Sequence, residues 1–203
     1  MTLRDGGGRL VVLEGPDGVG KSRLAQALAD ELGSRGRTVA VLSFPGRTAG
    51  TLGELVYRLH HEPDALGVTQ PIDVASLQLL HIAAHVDAIE STIRQAVQEG
   101  QWVILDRYWW STWVYGVAAN VSSESLDRMI GVELSHWGDL KPDPVFVVER
   151  QTADPVLAGL YDGLADKEER RAKVVLIDNN GAPESAVSQM LEELTEVEEG
   201  KWT

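Results

Sequence analysis

The sequence predicts an α/β protein in which helices cover both faces of a five-stranded parallel sheet. Three observations support this: five short, apolar, β-branched runs, longer helical patterns between them, and no linker that would divide the chain. Strands buried on both faces are apolar throughout rather than alternating, and helices between parallel strands make right-handed crossovers. We therefore expect one doubly wound domain over residues 1–203, with residues 1–8 as a flexible tail.

The elements alternate regularly along the chain. The predicted strands lie at 10–13, 39–42, 102–105, 145–148 and 174–177. The helical patterns have apolar residues three or four positions apart, and they lie at 24–32, 79–97 and 187–194. Gly33 and Gly100 follow the first two patterns as stop signals. We predict mobile loops at 62–71 and 152–173.

Charge and composition limit the classes of function. Lys and Arg total 18 against 31 Asp and Glu, a net charge of -13. This argues against a nucleic-acid polymer or a membrane surface as partner, but not against a small anion in a local pocket. The chain has no cysteine, which excludes disulfides, thiolate metal sites and cysteine nucleophiles. No apolar run is long enough for a membrane span, and residues 1–8 lack a signal-peptide core, so we expect a cytoplasmic protein.

Residues 15–22 match the pattern G-x-x-x-x-G-K-[ST] directly between the first predicted strand and the first predicted helix. Successive backbone N–H groups and the helix N-terminus stabilise negative charge there. Lys21 can bridge the β- and γ-phosphates of ATP, and Ser22 can ligate Mg²⁺. A glycine-rich turn without a ligand is the alternative. The predicted phosphate contacts are Gly15, Asp17, Gly18, Val19, Gly20, Lys21, Ser22 and Arg23.

A second polar feature follows the third predicted strand at Asp106 and Arg107. Proteins with such a loop place a carboxylate near Mg²⁺ at this point, so Ser22 and Asp106 are the predicted metal ligands. The adjacent Arg107 can meet a phosphate through two parallel hydrogen bonds. A surface Asp–Arg pair that ends a strand is the alternative.

Together these blocks resemble the thymidylate kinase family of nucleoside monophosphate kinases, from about Leu10 to Val148. The segment at 43–47 is similar to the family's F-P-x-R motif, and 51–53 to its glycine-containing continuation. The segment 106–115 is similar to its D-R-Y-x-x-S-x-x-A-Y stretch, and 141–143 to its K-P-D segment. The resemblance implies a P-loop kinase fold, a homodimer, and transfer of phosphate from ATP with Mg²⁺ to dTMP or a related pyrimidine deoxynucleotide.

The resemblance also implies roles for individual residues. Arg47 and Arg107 would bind the acceptor phosphate, Tyr115 would pack beneath the sugar, and Asp17 would lie between the phosphate and the nucleoside. Asp106 would orient the water shell of the metal. The implied acceptor-binding set is Phe44, Pro45, Arg47, His81, His85, Arg107, Trp110, Ser111, Thr112 and Tyr115.

The predicted base pocket departs from the family pattern. His81 stands where the family has an aromatic residue that stacks on thymine, and His85 where it has an arginine. Histidine can still stack and hydrogen-bond, but the recognition of the base should differ. The resemblance implies dTMP as the acceptor, and the altered helix adds a 5-substituted dUMP as the alternative. Two histidines on a partly exposed helical face are the alternative. For the tryptophans at 109, 110 and 113, packing in a core or a dimer is the alternative to lining the pocket.

The second departure is a short lid. Only 150–173 separate the last two strands, so we expect a shortened lid region there. Arg150 and Arg170 join Lys21, Arg107 and Asp17 as predicted catalytic residues. A solvated helical turn with local ion pairs is the alternative for 166–173.

Two other functions remain open. A deoxynucleoside kinase has a hydroxyl as acceptor and needs a carboxylate base, for which Glu14 and Asp17 are available. The F-P-x-R-like block fits an acceptor that already carries phosphate better. A catalytically weak nucleotide-binding regulatory module is the third reading, because the lid is short and the phosphate loop lacks an arginine between its glycines.

Overall fold

The computed structural model, described over residues 7–198, is built on one parallel five-stranded sheet. The strands are β1 (Arg9–Glu14), β2 (Val39–Ser43), β3 (Trp102–Asp106), β4 (Val145–Glu149) and β5 (Val174–Asp178). Their spatial order is β2-β3-β1-β4-β5. Each strand begins and ends within one residue of its predicted run, and the predicted fold class is confirmed. Of the predicted flexible tail, only residues 7 and 8 lie within the described part of the chain.

Eight α-helices occur in the described part of the chain. They are α1 (Lys21–Ser34), α2 (Leu52–His61), α3 (Val74–Ala88), α4 (Arg94–Gln98), α5 (Trp109–Ala118), α6 (Ser123–Trp137), α7 (Pro155–Glu168) and α8 (Pro183–Glu198). A π-helical turn, Ile89–Ile93, joins α3 to α4, so the pattern predicted at 79–97 forms one continuous helical segment. Within residues 7–198, no helix has the length and apolar character needed to cross a membrane.

Two hydrophobic cores lie on opposite faces of the sheet. Side chains alternate along β1, so Val11 and Leu13 face the core formed with α1 and α8. Leu10 and Val12 face the larger core, formed with α3, α5, α6 and α7. Each fully buried aliphatic side chain contributes roughly 1.5–3 kcal/mol by leaving water. The two cores therefore hold helices on both faces and bring the carboxyl ends of all five strands to one edge.

Helix α7 occupies most of the interval predicted as a mobile loop at 152–173, and that prediction is wrong. Asp154 begins the helix by accepting hydrogen bonds from two backbone N–H groups, and Pro155 takes the first helical position. Tyr161, Leu164 and Ala165 have the i, i+3, i+4 spacing of a buried helical face and lie in the larger core. The role of 150–173 as a shortened lid stays a prediction.

Candidate active site

The phosphate loop joins β1 to α1 at the carboxyl edge of the sheet. Gly20 begins α1 in a left-handed conformation, φ 98°, that side chains rarely adopt. A Cβ at Gly20 would also lie 2.6 Å from Nδ2 of Asn179. Val19 buries its side chain in the core, so only its backbone can meet a phosphate. Arg23 is exposed on the first turn of α1, with its side chain in solvent.

Lys21 is folded into the loop. Its Nζ donates to the carbonyl oxygens of Gly15 at 2.8 Å and Pro16 at 2.6 Å, and the residue is only 5% exposed. Burial lowers the pKa of Lys21 to about 8, while the carboxylates of Glu14, Asp106 and Asp17 oppose this. A buried ammonium bonded only to backbone carbonyls is available to an incoming polyphosphate.

The predicted metal ligands meet across the sheet edge. The hydroxyl of Ser22 donates to Oδ2 of Asp106, although the two residues are 84 positions apart. A hydroxyl and a carboxylate are hard oxygen donors of the kind Mg²⁺ takes, usually alongside waters and phosphate oxygens. These residues fit a magnesium site, and the assignment stays a prediction.

Arg107 links the phosphate loop to the acceptor side. It is a non-glycine residue at φ 85°, and its backbone N–H donates to the carbonyl of Leu13 at 2.9 Å. Its guanidinium donates to Oδ1 of Asp17 and, at 2.8 Å, to Oγ of Ser111, and it lies 5.4 Å from the ring centre of Tyr115. Burial raises the pKa of Asp17, but hydrogen bonding to Tyr115 and the charge of Arg107 outweigh it and lower the pKa below its ordinary value. Asp17 is therefore an anion at neutral pH.

Glu14 is buried completely beneath this arginine. Oε1 accepts from the backbone N–H groups of Tyr108 at 2.7 Å and Ser111 at 3.0 Å, and Oε2 accepts from the Ser111 hydroxyl at 2.7 Å. The carboxylate thus caps the N-terminus of α5. Burial raises the pKa of Glu14. Glu14 is fully buried and does not line the cavity described below, which argues against its use as the base of a deoxynucleoside kinase.

Most of the predicted acceptor-binding residues surround a cavity of about 230 Å³. Nine of the ten predicted residues line it: Phe44, Pro45, Arg47, His81, His85, Arg107, Ser111, Thr112 and Tyr115. Trp110 does not line the cavity, and neither does Trp109, because α5 turns both indoles into the larger core. The sequence analysis missed Tyr57, His60, His61, Gln78 and Tyr108, which also line the cavity.

Two arginines, Arg47 and Arg107, line the cavity. The Arg47 guanidinium lies 4.4 Å from the ring centre of Tyr57 on α2. Helix α2 approaches closely because a Cβ at Gly53 would stand 2.3 Å from the carbonyl oxygen of Pro45. This close approach gives a physical reason for the glycine in the 51–53 block.

Four histidines, His60, His61, His81 and His85, also line the cavity. Nδ1 of His60 lies 3.1 Å from Nε2 of His81, and their rings meet edge to face. Burial and the neighbouring His85, His60 and His61 lower the pKa of His81 to about 3. His81 is therefore neutral at physiological pH and offers a flat, uncharged ring.

His85 is more deeply buried than His81. Its ring stacks on Phe44 with centres 4.0 Å apart, and Nδ1 lies 2.7 Å from Oε2 of Glu133 on α6. Glu133 is fully buried, and its Oε1 accepts from Nε1 of Trp137 at 3.0 Å. The reading of His81 and His85 as surface histidines is therefore wrong for His85.

The two predicted catalytic arginines of the lid region lie at opposite edges of the sheet. Arg150 follows β4 at the carboxyl edge, beside the phosphate loop, and is exposed. Arg170 precedes β5 at the amino edge, where the carbonyl of Lys173 accepts from the N–H of Val145. A five-residue strand rises about 13 Å between the two edges. This placement argues against the catalytic role predicted for Arg170.

Asn179 is a further loop contact that the sequence analysis missed. It follows β5, and its Nδ2 donates to the carbonyl oxygen of Val19 at 2.7 Å while its backbone N–H bonds to Glu149. The side chain is buried. Asn179 therefore holds the middle of the phosphate loop from the far side of β4.

The phosphate loop before α1, with a carboxylate and an arginine facing it from the end of β3, places the chain among the P-loop nucleotide-binding proteins. Comparison with known proteins narrows this class. The family model described as "Thymidylate kinase" matches residues 13–157. The chain belongs to the thymidylate kinase family, whose members are nucleoside monophosphate kinases.

Individual relatives agree with this assignment. The thymidylate kinase of Rhizorhabdus wittichii is 28% identical, with 94% of this chain and 98% of the relative covered. That of Afipia carboxidovorans is 32% identical, with 85% of this chain and 68% of the relative covered. The crystal structure of thymidylate kinase from Ehrlichia chaffeensis has the same fold, with a TM-score of 0.76, 22% identity, and coverage of 93% of this chain and 100% of that one.

Proposed function

We propose that this kinase transfers the γ-phosphoryl group of ATP, with Mg²⁺, to the phosphate of a pyrimidine deoxynucleoside 5′-monophosphate, either dTMP or a 5-substituted dUMP. One observation supports this above the others: Arg107 lines the acceptor cavity and is bonded to Asp17 of the phosphate loop. The two ligands would thus meet at a single arginine. A hydroxyl acceptor would place no anion at Arg47 and Arg107.

The chemistry requires these side chains to position and neutralise two polyanions. Lys21 and the N–H groups of the loop would bind the donor phosphates, and Arg47 and Arg107 the acceptor phosphate. Mg²⁺, when held by Ser22 and Asp106, would supply further positive charge between the phosphates. The acceptor phosphate is already an anionic nucleophile at neutral pH, so no general base is needed.

Release of ADP from ATP and Mg²⁺ with a panel of acceptors tests the proposal. We expect turnover with dTMP or a 5-substituted dUMP and none with thymidine. Turnover with thymidine alone would support the deoxynucleoside kinase. ATP binding without turnover on any acceptor would support the regulatory module.

Lys21→Ala provides the matched inactive control for this assay. We expect the turnover of this variant to fall by orders of magnitude with the fold intact, because the charge of Lys21 would stabilise the oxygens of the phosphoryl group during transfer. Full activity in Lys21→Ala would contradict the assignment of the loop. The homodimer, the cytoplasmic location and the exclusion of nucleic-acid polymers stay predictions.

A further inference from the structure

Glu133 and His85 form a buried pair behind the acceptor cavity. The Glu133 side chain is 0% exposed and that of His85 is 3% exposed, with Nδ1 of the histidine 2.7 Å from Oε2 of the glutamate. Only His85 of the pair lines the cavity. Glu133 therefore touches no ligand and can influence one only through His85.

The hydrogen bonds of Glu133 determine which nitrogen of His85 carries a proton. An ionised carboxylate only accepts hydrogen bonds, and the indole N–H of Trp137 only donates. Oε1 accepts from Trp137 at 3.0 Å, and Oε2 faces Nδ1 of His85. Nδ1 must therefore be the protonated nitrogen. In the neutral ring this makes Nε2 an acceptor.

Nε2 is the nitrogen left for a ligand. Among the described residues it has no hydrogen-bond partner. It is also not among the solvent-inaccessible atoms that lack a partner, so it keeps access to the cavity. Stacking on Phe44 and tight packing against α6 fix the plane of the ring. Because His85 lines the acceptor cavity, its Nε2 is a fixed acceptor available to a base bound there.

We propose that Glu133 is a specificity-determining positioning residue, which holds His85 in the tautomer whose Nε2 accepts the N3–H of a 4-oxo pyrimidine. The inference rests on the proposed function, because it takes a pyrimidine monophosphate as the acceptor. Uracil and thymine carry a proton on N3, whereas the N3 of cytosine is itself an acceptor. The pair thus selects 4-oxo bases over 4-amino bases by hydrogen-bond direction.

Glu133→Gln inverts this arrangement with almost no change in shape. The indole N–H of Trp137 still needs an acceptor, so the new amide turns its oxygen to Trp137 and its NH₂ to His85. Nδ1 must then accept, and the proton moves to Nε2, which becomes a donor. We expect the ratio of kcat/KM for dUMP over dCMP to fall at least tenfold, with the KM for ATP unchanged within twofold.

Two further variants separate specificity from folding. His85→Asn keeps an N–H near the position of Nδ1 for Glu133 but removes Nε2, and it should bring the dUMP to dCMP ratio close to one. Glu90→Gln is the matched control, because Glu90 also faces a histidine Nδ1, that of His136 at 3.0 Å, but on the exposed surface away from the cavity. Its ratio should equal that of the wild type.

The experiment measures binding of dUMP and dCMP by calorimetry beside turnover, and the ring ¹⁵N shifts of His85 by NMR. A wild-type preference for dCMP, an unchanged ratio in folded Glu133→Gln or His85→Asn, or equal losses for both nucleotides would overturn the inference. Should Glu133→Gln fail to fold, the ring ¹⁵N shifts of wild-type His85 decide: a proton on Nδ1 alone supports the inference, and a proton on Nε2 overturns it. Preferential binding of dUMP that His85→Asn abolishes, without turnover of any acceptor, would support the inference and overturn the proposed function.

Discussion

Replacing Lys21 by methionine should make the protein more stable and inactive at once. Burial lowers the pKa of Lys21 from 10.5 to about 8. One pKa unit corresponds to about 1.36 kcal/mol, so the charged side chain destabilises the folded state by about 3 kcal/mol at pH 7. Methionine has a similar length and no charge. Methionine cannot donate to the carbonyls of Gly15 and Pro16, and each lost hydrogen bond offsets about 1 kcal/mol of this gain. We therefore expect the free energy of unfolding to rise by about 1 kcal/mol at pH 7.

The difference in the free energy of unfolding between Lys21→Met and the wild type should decrease as the pH rises. Because the folded pKa lies below the unfolded pKa, the unfolded wild type binds more protons between about pH 8 and 10.5. The contribution of Lys21 to the stability of the wild type therefore becomes less unfavourable across this window, and above it Lys21→Met should be less stable than the wild type. The expected rise in Tm at pH 7 is about 2–4 °C for a domain of this size.

Urea unfolding of both proteins at pH 7 and at pH 10, followed by tryptophan fluorescence, checks the prediction. The difference in stability between the two proteins cancels the titrating groups that lie away from Lys21. A variant less stable than the wild type at pH 7, or a gain of the same size at both pH values, would refute the argument from burial. Loss of ADP release in the same variant would show that the buried charge is needed for turnover.

Three other substitutions have separable effects. Arg47→Ala removes a cation from the acceptor end, so the KM for the acceptor should rise about 10- to 100-fold and that for ATP much less; steady-state kinetics with each substrate varied checks this. Asn179→Ala removes one buried hydrogen bond to the phosphate loop, so ATP binding measured by calorimetry should weaken about tenfold while acceptor binding holds. Glu14→Ala leaves the buried N–H of Tyr108 without an acceptor and that of Ser111 with only the carbonyl of Tyr108 at 3.2 Å, so thermal unfolding should show a loss of about 1–3 kcal/mol, and unchanged stability would contradict the capping role.

Local patterns in the sequence predicted much of the molecule. The strands could be placed because each is an unbroken apolar run, and the phosphate loop because glycines, Lys21 and Ser22 occupy adjacent positions. The acceptor cavity came from residues that the family resemblance aligns. Helix α7 was missed because its buried face, at 161, 164 and 165, is short and interrupted by glycines and charges.

What the sequence could not reveal are contacts between distant residues. In the sequence, Glu14 only follows the last residue of a predicted strand. In the structure, the start of α5 brings two N–H groups to it from more than 90 positions away. Glu133 reads as one polar residue on an amphipathic helix until α3 and α6 pack together around His85. Trp110 is a wrong prediction for the same reason. Its position near Arg107 at the end of a strand suggests a ligand contact, but on α5 its side chain lies on the face that packs into the core.

The sheet separates the parts of the molecule that serve the two substrates. The helices that carry the phosphate loop and Asn179 pack into one core, while the helices around the acceptor cavity pack into the other. A substitution among the histidines of the cavity is therefore expected to perturb the core on one side of the sheet more than the core on the other. On the proposed function, such a substitution should change the choice of acceptor with little effect on the binding of the phosphate donor.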